Sequence, residues 1–456
     1  MKKHLIKDSI ITGLALFSTM FGAGNLIFPP QIGLFSGSAW FLGAMGLLLG
    51  GIILPVLALW SINNVGEGAE SLMGHVHPKF YDAFYLVNST LLAMGSTLPK
   101  CAASTHELAV APLFPDVPIW ITVIVFFALV YFFAKDRESV IDKLGKYMTP
   151  LLLILLAVVL IKGVVDPVGQ PVDTGIENPF GSALLTAYNT VDLTVGILFA
   201  GVIIGDLRRR GYDRKASKTA AFSAGLVCVA ALFAVYGTMT YLGATGSGIY
   251  PQDTPQTVLL SGLIRQIMGT AGIACLGGAV TLACLTTAVG LGSTVVSFLY
   301  TFFREKIPYK VLLLIACLIG VFMGITGVQN IVNYVTPIFL VIYPACIVTT
   351  VLGLLNRFLP NDGFYKGGVL VALILSLGDA VLSVFPNLEW LKHLMSIFPL
   401  AEMGFAWLIH RSSVCLWADC STAVNLSSPS LSPTLVRRRL YRTRPRYILA
   451  RPICPQ

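Results

Sequence analysis

The sequence predicts an all-α polytopic membrane protein. Three observations carry that prediction. Hydrophobic residues fill 55% of the 456 positions and charged residues only 12%, where soluble domains carry about 25% charged. The mean hydropathy is +0.79. The apolar residues come in runs of about 20, enough to cross a bilayer as helix. No single soluble core hides this much apolar surface. No A-x-A-like site closes the run that starts near Ile10, so it reads as a span and not as a cleaved signal.

About twelve candidate spans follow in order: 9–33, 39–61, 80–99, 118–134, 147–165, 183–205, 219–243, 271–300, 311–328, 331–355, 367–385 and 393–410. The connections between them test the number. With the N-terminus inside, one side receives Lys2, Lys3, Lys7, Lys79, Lys135, Lys143, Arg208, Arg209, Arg210, Lys215, Arg304, Lys310, Arg357 and Lys366. The other side receives few, among them Lys162, Arg265 and Lys392. That asymmetry is the positive-inside pattern, and a wrong number of spans scrambles it. The net charge of +9 is spread over these connections, so topology explains it and nucleic acid is not implied. Cys228, Cys275, Cys284, Cys317 and Cys346 lie in apolar runs without C-x-x-C spacing. They read as small packing residues. The membrane-spanning domain is therefore expected to be 1–410. Residues 411–456 form a Ser/Pro/Arg-rich basic segment without lysine. It reads either as a disordered tail drawn to anionic lipid or as a frameshifted end.

The first span contains MFGAGNLIFPP, Met20 to Pro30. Gly22 and Gly24 make an unwound segment easy, and Pro29 and Pro30 restart or redirect the chain. Unwound backbone is tolerated at membrane depth only inside protein or a watered cavity. There its N–H groups can hold a carboxylate and its carbonyls a cation. The bland alternative is that the glycines only let a neighbouring helix approach. Asn25 weighs against it, because a polar amide in a span needs a partner. The sixth span, ALLTAYNTVDLTVGILFAGVIIG, holds Asn189, Thr190 and Asp192, then Phe199, Ala200 and Gly201. Spans one and six are five helices apart, the offset of a five-plus-five inverted repeat with both helices discontinuous. The eighth span holds ACLTT. There the Ala283 carbonyl and the Thr286 and Thr287 hydroxyls can converge one turn apart, unless those hydroxyls bond back to their own helix.

FSTMFGAGNLIFPP, DKLGKYMTPLL, AYNTVD, ACLTTAVGL and IYPACIV together resemble the bacterial branched-chain amino acid transport system II carriers, over Lys7 to Trp407. The resemblance implies a LeuT-like arrangement and symport of leucine, isoleucine and valine with sodium or a proton. It also implies residence in the bacterial cytoplasmic (inner) membrane, and no cofactor besides the coupling ion. Residue by residue, GAGN resembles the unwound first helix of LeuT-type sodium symporters. That implies substrate contact at Phe21, Gly22, Ala23, Gly24 and Asn25, with Phe199, Ala200 and Gly201 on the sixth span. ACLTT resembles a sodium-lining run, which implies a sodium site of Phe21, Ala283, Thr286 and Thr287. One departure stands in GSTLPKCAAST, where Lys100 replaces an arginine and keeps charge without the planar fork.

Asp192 is the candidate coupling group, because an ionisable residue inside a span is a functional candidate. It leaves open a proton-coupled permease or exchanger for another amino acid. No H-E-x-x-H, phosphate loop or repeated filter element is present, so neither an enzyme nor a channel is expected. His75 and His77 fall in a cytoplasmic connection.

Overall fold

The computed structural model describes residues 2–22, 24–66, 68–135 and 140–398, together with Leu400, Ala401, Phe405 and Trp407. Residues 411–456 and positions 399, 402–404, 406 and 408–410 of the expected twelfth span lie outside these. Among the described residues, regular structure is helical throughout.

The first span is two helices. Lys2–Met20 stops, Phe21 and Gly22 are non-helical, and Gly24–Ser36 restarts the chain. The break thus precedes the prolines. Pro29 and Pro30 sit inside the second helix, and the interruption falls where the glycines are. Gly37, at φ +50°, then ends Gly24–Ser36. The second span runs from Trp40 to Val65 through a π-helical stretch at Leu48–Ile53.

The third span, expected to end near 99, continues to Val110. Its polar end STHELAV reads as loop in sequence. In the fold those polar groups find partners. His106 Nδ1 lies 2.9 Å from Thr122 Oγ1. The Glu107 carboxylate accepts from Thr257 Oγ1 at 2.6 Å and from the Val328 amide at 2.8 Å.

Ile119–Ala134 and Val140–Val165 follow, then the sixth span, which is also two helices. Pro179–Thr190 and Asp192–Arg209 meet at an angle of 49°. Arg214–Thr245 packs backbone to backbone against Gly24–Ser36. A Cβ on Gly243 would fall 1.9 Å from the Pro30 carbonyl oxygen, and one on Gly33 would fall 1.9 Å from that of Thr240. Such close approach is how small residues hold membrane helices together.

The eighth span was expected from 271. The helix Gln256–Phe302 starts 15 residues earlier and is interrupted at Gly269 (φ 62°, ψ −150°), a conformation that glycine alone adopts readily. Tyr309–Gly324, Val328–Leu354 and Gly363–Val384 match the next three expectations, and Glu389–Ser396 is a short helix after them. Among the described residues, five helices qualify as crossings by length and hydropathy, six with the bent pair counted as one, and three shorter apolar helices accompany them. The count of twelve is therefore not established by the described residues.

The two broken spans are also joined near the start of the first and the end of the second. Tyr212 Oη donates to Asp8 at 2.6 Å, and Arg210 lies 3.6 Å from the same carboxylate. That hydrogen bond raises the Tyr212 pKa above the ordinary tyrosine value.

Candidate functional site

The site is built from two helix breaks that face each other. In the first, the Met20 carbonyl has lost its helical partner. Asn25 Nδ2 donates to it at 2.7 Å, which satisfies an orphan acceptor of the helix end. The Asn25 amide nitrogen takes the Gly22 carbonyl at 3.1 Å and closes the turn. The Asn25 side chain then reaches the second break. Its Nδ2 lies 2.9 and 3.1 Å from the two Asp192 oxygens and also donates to Tyr236 Oη. Tyr236 in turn donates to Asp192 Oδ2 at 3.2 Å. Asn25, Asp192 and Tyr236 are each 1% exposed or less. A buried carboxylate this dry needs such donors, because burying an unpartnered charge is costly.

The second break is set by Val191. It adopts φ +70°, ψ 1°, left-handed backbone that is strained for a β-branched residue. This conformation ends Pro179–Thr190 and restarts the helix at Asp192 in a new direction. Asp192 thereby occupies the first turn of Asp192–Arg209, the positive end of the helix dipole. The next amide, Leu193 N, donates to Tyr343 Oη at 3.2 Å, and Tyr343 stacks on Tyr188 at 4.6 Å. On the other side of the break, the Asn189 carbonyl accepts from Lys100 Nζ at 3.0 Å. Its side-chain oxygen accepts from Thr336 at 2.9 Å.

Phe21 stacks on Phe17 at 5.1 Å and tilts against Tyr236 at 6.4 Å. Its carbonyl accepts from Thr287 Oγ1 at 3.4 Å. A Cβ on Gly22 would sit 3.7 Å from that same Thr287 oxygen, and one on Gly24 would sit 3.5 Å from the Asn189 carbonyl. Bare backbone at Gly22 and Gly24 thus faces the eighth and sixth spans respectively. Ala23 lies outside the described residues.

The two threonines differ. Thr286 Oγ1 bonds back to Leu282 at 2.9 Å and to the Ala283 carbonyl at 3.0 Å. Thr287 alone turns across to Phe21. Phe199 lies seven residues past Asp192 on the same helix, about two turns away and on the same face. Among the described residues no hydrogen bond or ring contact joins it to the Asn25 cluster. Ala200 is fully buried, and Gly201 is partly buried.

Tyr236, Val191 and Tyr343 are site residues that sequence reasoning missed. The signal for Tyr236 was a hydroxyl within the apolar run of the seventh span. Val191 gave none, because valine is among the last residues expected in left-handed backbone.

Comparison with known proteins places this arrangement. A family model described as branched-chain amino acid transport protein matches residues 5–422. The chain is 31% identical over 417 residues to a branched-chain amino acid permease of Haemophilus influenzae, covering 88% of this chain and 94% of that one. It is 30% identical over 414 residues to a branched-chain amino acid transport system 2 carrier protein of Pseudomonas aeruginosa, covering 88% and 93%. Among solved structures it is similar in fold to the inward-facing conformation of Mhp1, with TM-score 0.61, 14% identity, and coverage of 95% and 94%. A second neighbour is MhsT in complex with L-phenylalanine, with TM-score 0.54, 16% identity, and coverage of 83% and 97%. The all-α LeuT-like fold with its paired breaks and the family match across nearly the whole hydrophobic chain agree: this chain belongs to the branched-chain amino acid transport protein family and is a membrane transporter, not an enzyme.

Proposed function

We propose that the chain is a cation-coupled symporter that carries leucine, isoleucine and valine across the bacterial cytoplasmic membrane, with its N-terminus on the cytoplasmic side. The observation that carries this reading is the direct link between the two breaks, Asn25 to Asp192 at 2.9 Å. A substrate or ion held by one break is thereby felt by the other. The substrate carboxylate fits the backbone N–H groups at Gly22 and Gly24, at the start of Gly24–Ser36, and the family resemblance adds Ala23 to that set. Its ammonium fits Asp192 and the carbonyls of the second break. Phe21 and Phe199 offer apolar surface to the branched side chain. One methylene is worth only about 1–3 kcal/mol in such a pocket, so the three amino acids compete. Sodium, the first candidate ion, takes oxygen ligands, here the Phe21 and Ala283 carbonyls with Thr287 and Thr286. In alternating access the ion and amino acid bind together, and one bundle rocks against the other.

A second reading has a specific observation in its favour. Asp192 is 1% exposed, a carboxylate dry enough to carry a transported proton. Uptake of labelled leucine into proteoliposomes, with sodium and proton gradients imposed separately, decides. Sodium-driven uptake that survives Asp192→Asn with weaker affinity supports sodium symport. Concentrative uptake that collapses in Asp192→Asn while exchange persists supports protons. Saturable uptake of neither leucine, isoleucine nor valine under either gradient defeats the proposal.

A further inference from the structure

We infer that Lys100 is a built-in cation of the transport site: its ammonium holds the freed carbonyl end of the broken sixth span, does there the work of one mobile ion, and leaves the carrier one exchangeable cation per amino acid. This inference rests on the symport reading above.

The position is unusual for a lysine. Lys100 is 3% exposed in the middle of the third span, and lysine is almost never buried without a partner. Its hydrogen bond goes to a main-chain carbonyl, that of Asn189, at 3.0 Å. That oxygen stands at the C-terminal end of Pro179–Thr190, where unpaired carbonyls collect the negative end of the helix dipole. Carbonyls freed at a half-helix end are the groups that coordinate alkali cations in broken-helix carriers. The ammonium also sits 5.3 Å from the centre of the Phe28 ring, in the range of cation–π attraction. Its partner Asn189 stands three residues before Asp192, across the same break. A lysine that merely neutralised a carboxylate would not need the carbonyl. A lysine that replaced an ion would sit where this one sits.

Charge counting gives the consequence. Asp192 and Lys100 cancel. A zwitterionic amino acid adds nothing, and one cation at the Phe21, Ala283 and Thr287 oxygens adds one charge. Without the ammonium the site is negative by one, and the Asn189 carbonyl loses its donor. A second cation is then drawn in. With Asp192 neutralised and Lys100 kept, the site is positive and repels the coupling ion. Removing both charges restores the balance.

The test is uptake of labelled leucine by proteoliposomes as the concentration of the driving cation is varied at constant ionic strength. The wild type is expected to show a Hill coefficient of about 1 for that cation. Lys100→Arg should keep it there and retain uptake. Lys100→Met should raise it toward about 2. Asp192→Asn with Lys100→Met should recover part of the uptake lost in Asp192→Asn alone, a recovery that a merely structural lysine does not produce. A wild-type coefficient of about 2, wild-type cation dependence in Lys100→Met, or no recovery in the double variant overturns the inference. If Lys100→Met does not reach the membrane, the wild-type coefficient and the double variant still decide. A wild type without cation-driven leucine uptake overturns the symport reading itself, and the single-ion inference falls with it.

Discussion

Asn25 has two N–H donors to give, yet four oxygens surround its Nδ2: Met20 O, both Asp192 oxygens and Tyr236 Oη. Tyr236 relieves the competition by also donating to Asp192 itself. Tyr236→Phe removes one acceptor from Asn25 and one donor from Asp192 in a site closed to water. Asn25 still has three acceptors for its two N–H donors, but a buried carboxylate left short of a donor costs about 1–3 kcal/mol. Leucine affinity is therefore expected to fall at least tenfold while the variant still inserts, measured by binding of labelled leucine in detergent; unchanged affinity would show that Tyr236 is scaffold only. The threonines give a second residue-scale prediction. Thr287 faces the first break and Thr286 serves its own helix. Thr287→Ala should raise the half-saturating cation concentration several-fold more than Thr286→Ala does. Equal effects would argue that both hydroxyls turn to the ion.

At the scale of the element, the sixth span is bent by one residue in the wrong-handed region. Val191 is 4% exposed, so its side chain is packed as well as strained. Ala and Gly substitutions remove the same packing, but only glycine relieves the positive φ. In an ordinary helix interior glycine is about 1 kcal/mol worse than alanine. At 191 the order should reverse, with Val191→Gly more stable than Val191→Ala by about 1 kcal/mol. Thermal unfolding of the two purified variants checks the sign. A higher midpoint for the alanine variant would mean that the break does not impose left-handed backbone at this position. At the first break the described residues Phe21, Gly22 and Gly24 have no positive φ. Its glycines and the Asn25 cap suffice, and the prolines lie inside the helix that follows.

At the scale of the molecule, the fold turns apolar side chains outward. Phe322 is 77% exposed, Ile161 64% and Ile374 60%, as suits a surface solvated by lipid. The charge pattern of the connections sets orientation. Single cysteines at Gly211 and Asp253 in a cysteine-free background test it. An impermeant maleimide added to intact cells should label Asp253→Cys directly, and Gly211→Cys only after permeabilisation. The reverse pattern would invert the topology. Among the described residues, Glu389–Ser396 is the last regular element.

The sequence alone was enough for the membrane class, the positions of eleven helical segments, the two breaks and the family. Each is local: hydropathy over a window of about 20 residues, a glycine pair beside an amide, or a contiguous motif. Of the ends that came out differently, 99–110 carries polar groups that distant partners satisfy, and 256–270 is a helix that buries Leu259, Leu260, Leu263 and Ile264 and is set off from the eighth span by Gly269. What only the tertiary structure decided is which side chains meet. Asn25 finds Asp192, Tyr236 and the Met20 carbonyl; Lys100 finds Asn189; and Thr287 rather than Thr286 finds Phe21. These choices depend on how each helix is rotated about its axis. In a soluble helix an apolar stripe reveals that rotation. In a membrane helix the lipid-facing and protein-facing sides are both apolar: in Tyr309–Gly324, Leu313 is 1% exposed and Leu318 is 58%, and nothing in their identity tells them apart. Packing of small residues against neighbouring backbones sets the rotation, and it exists only once the helices have come together.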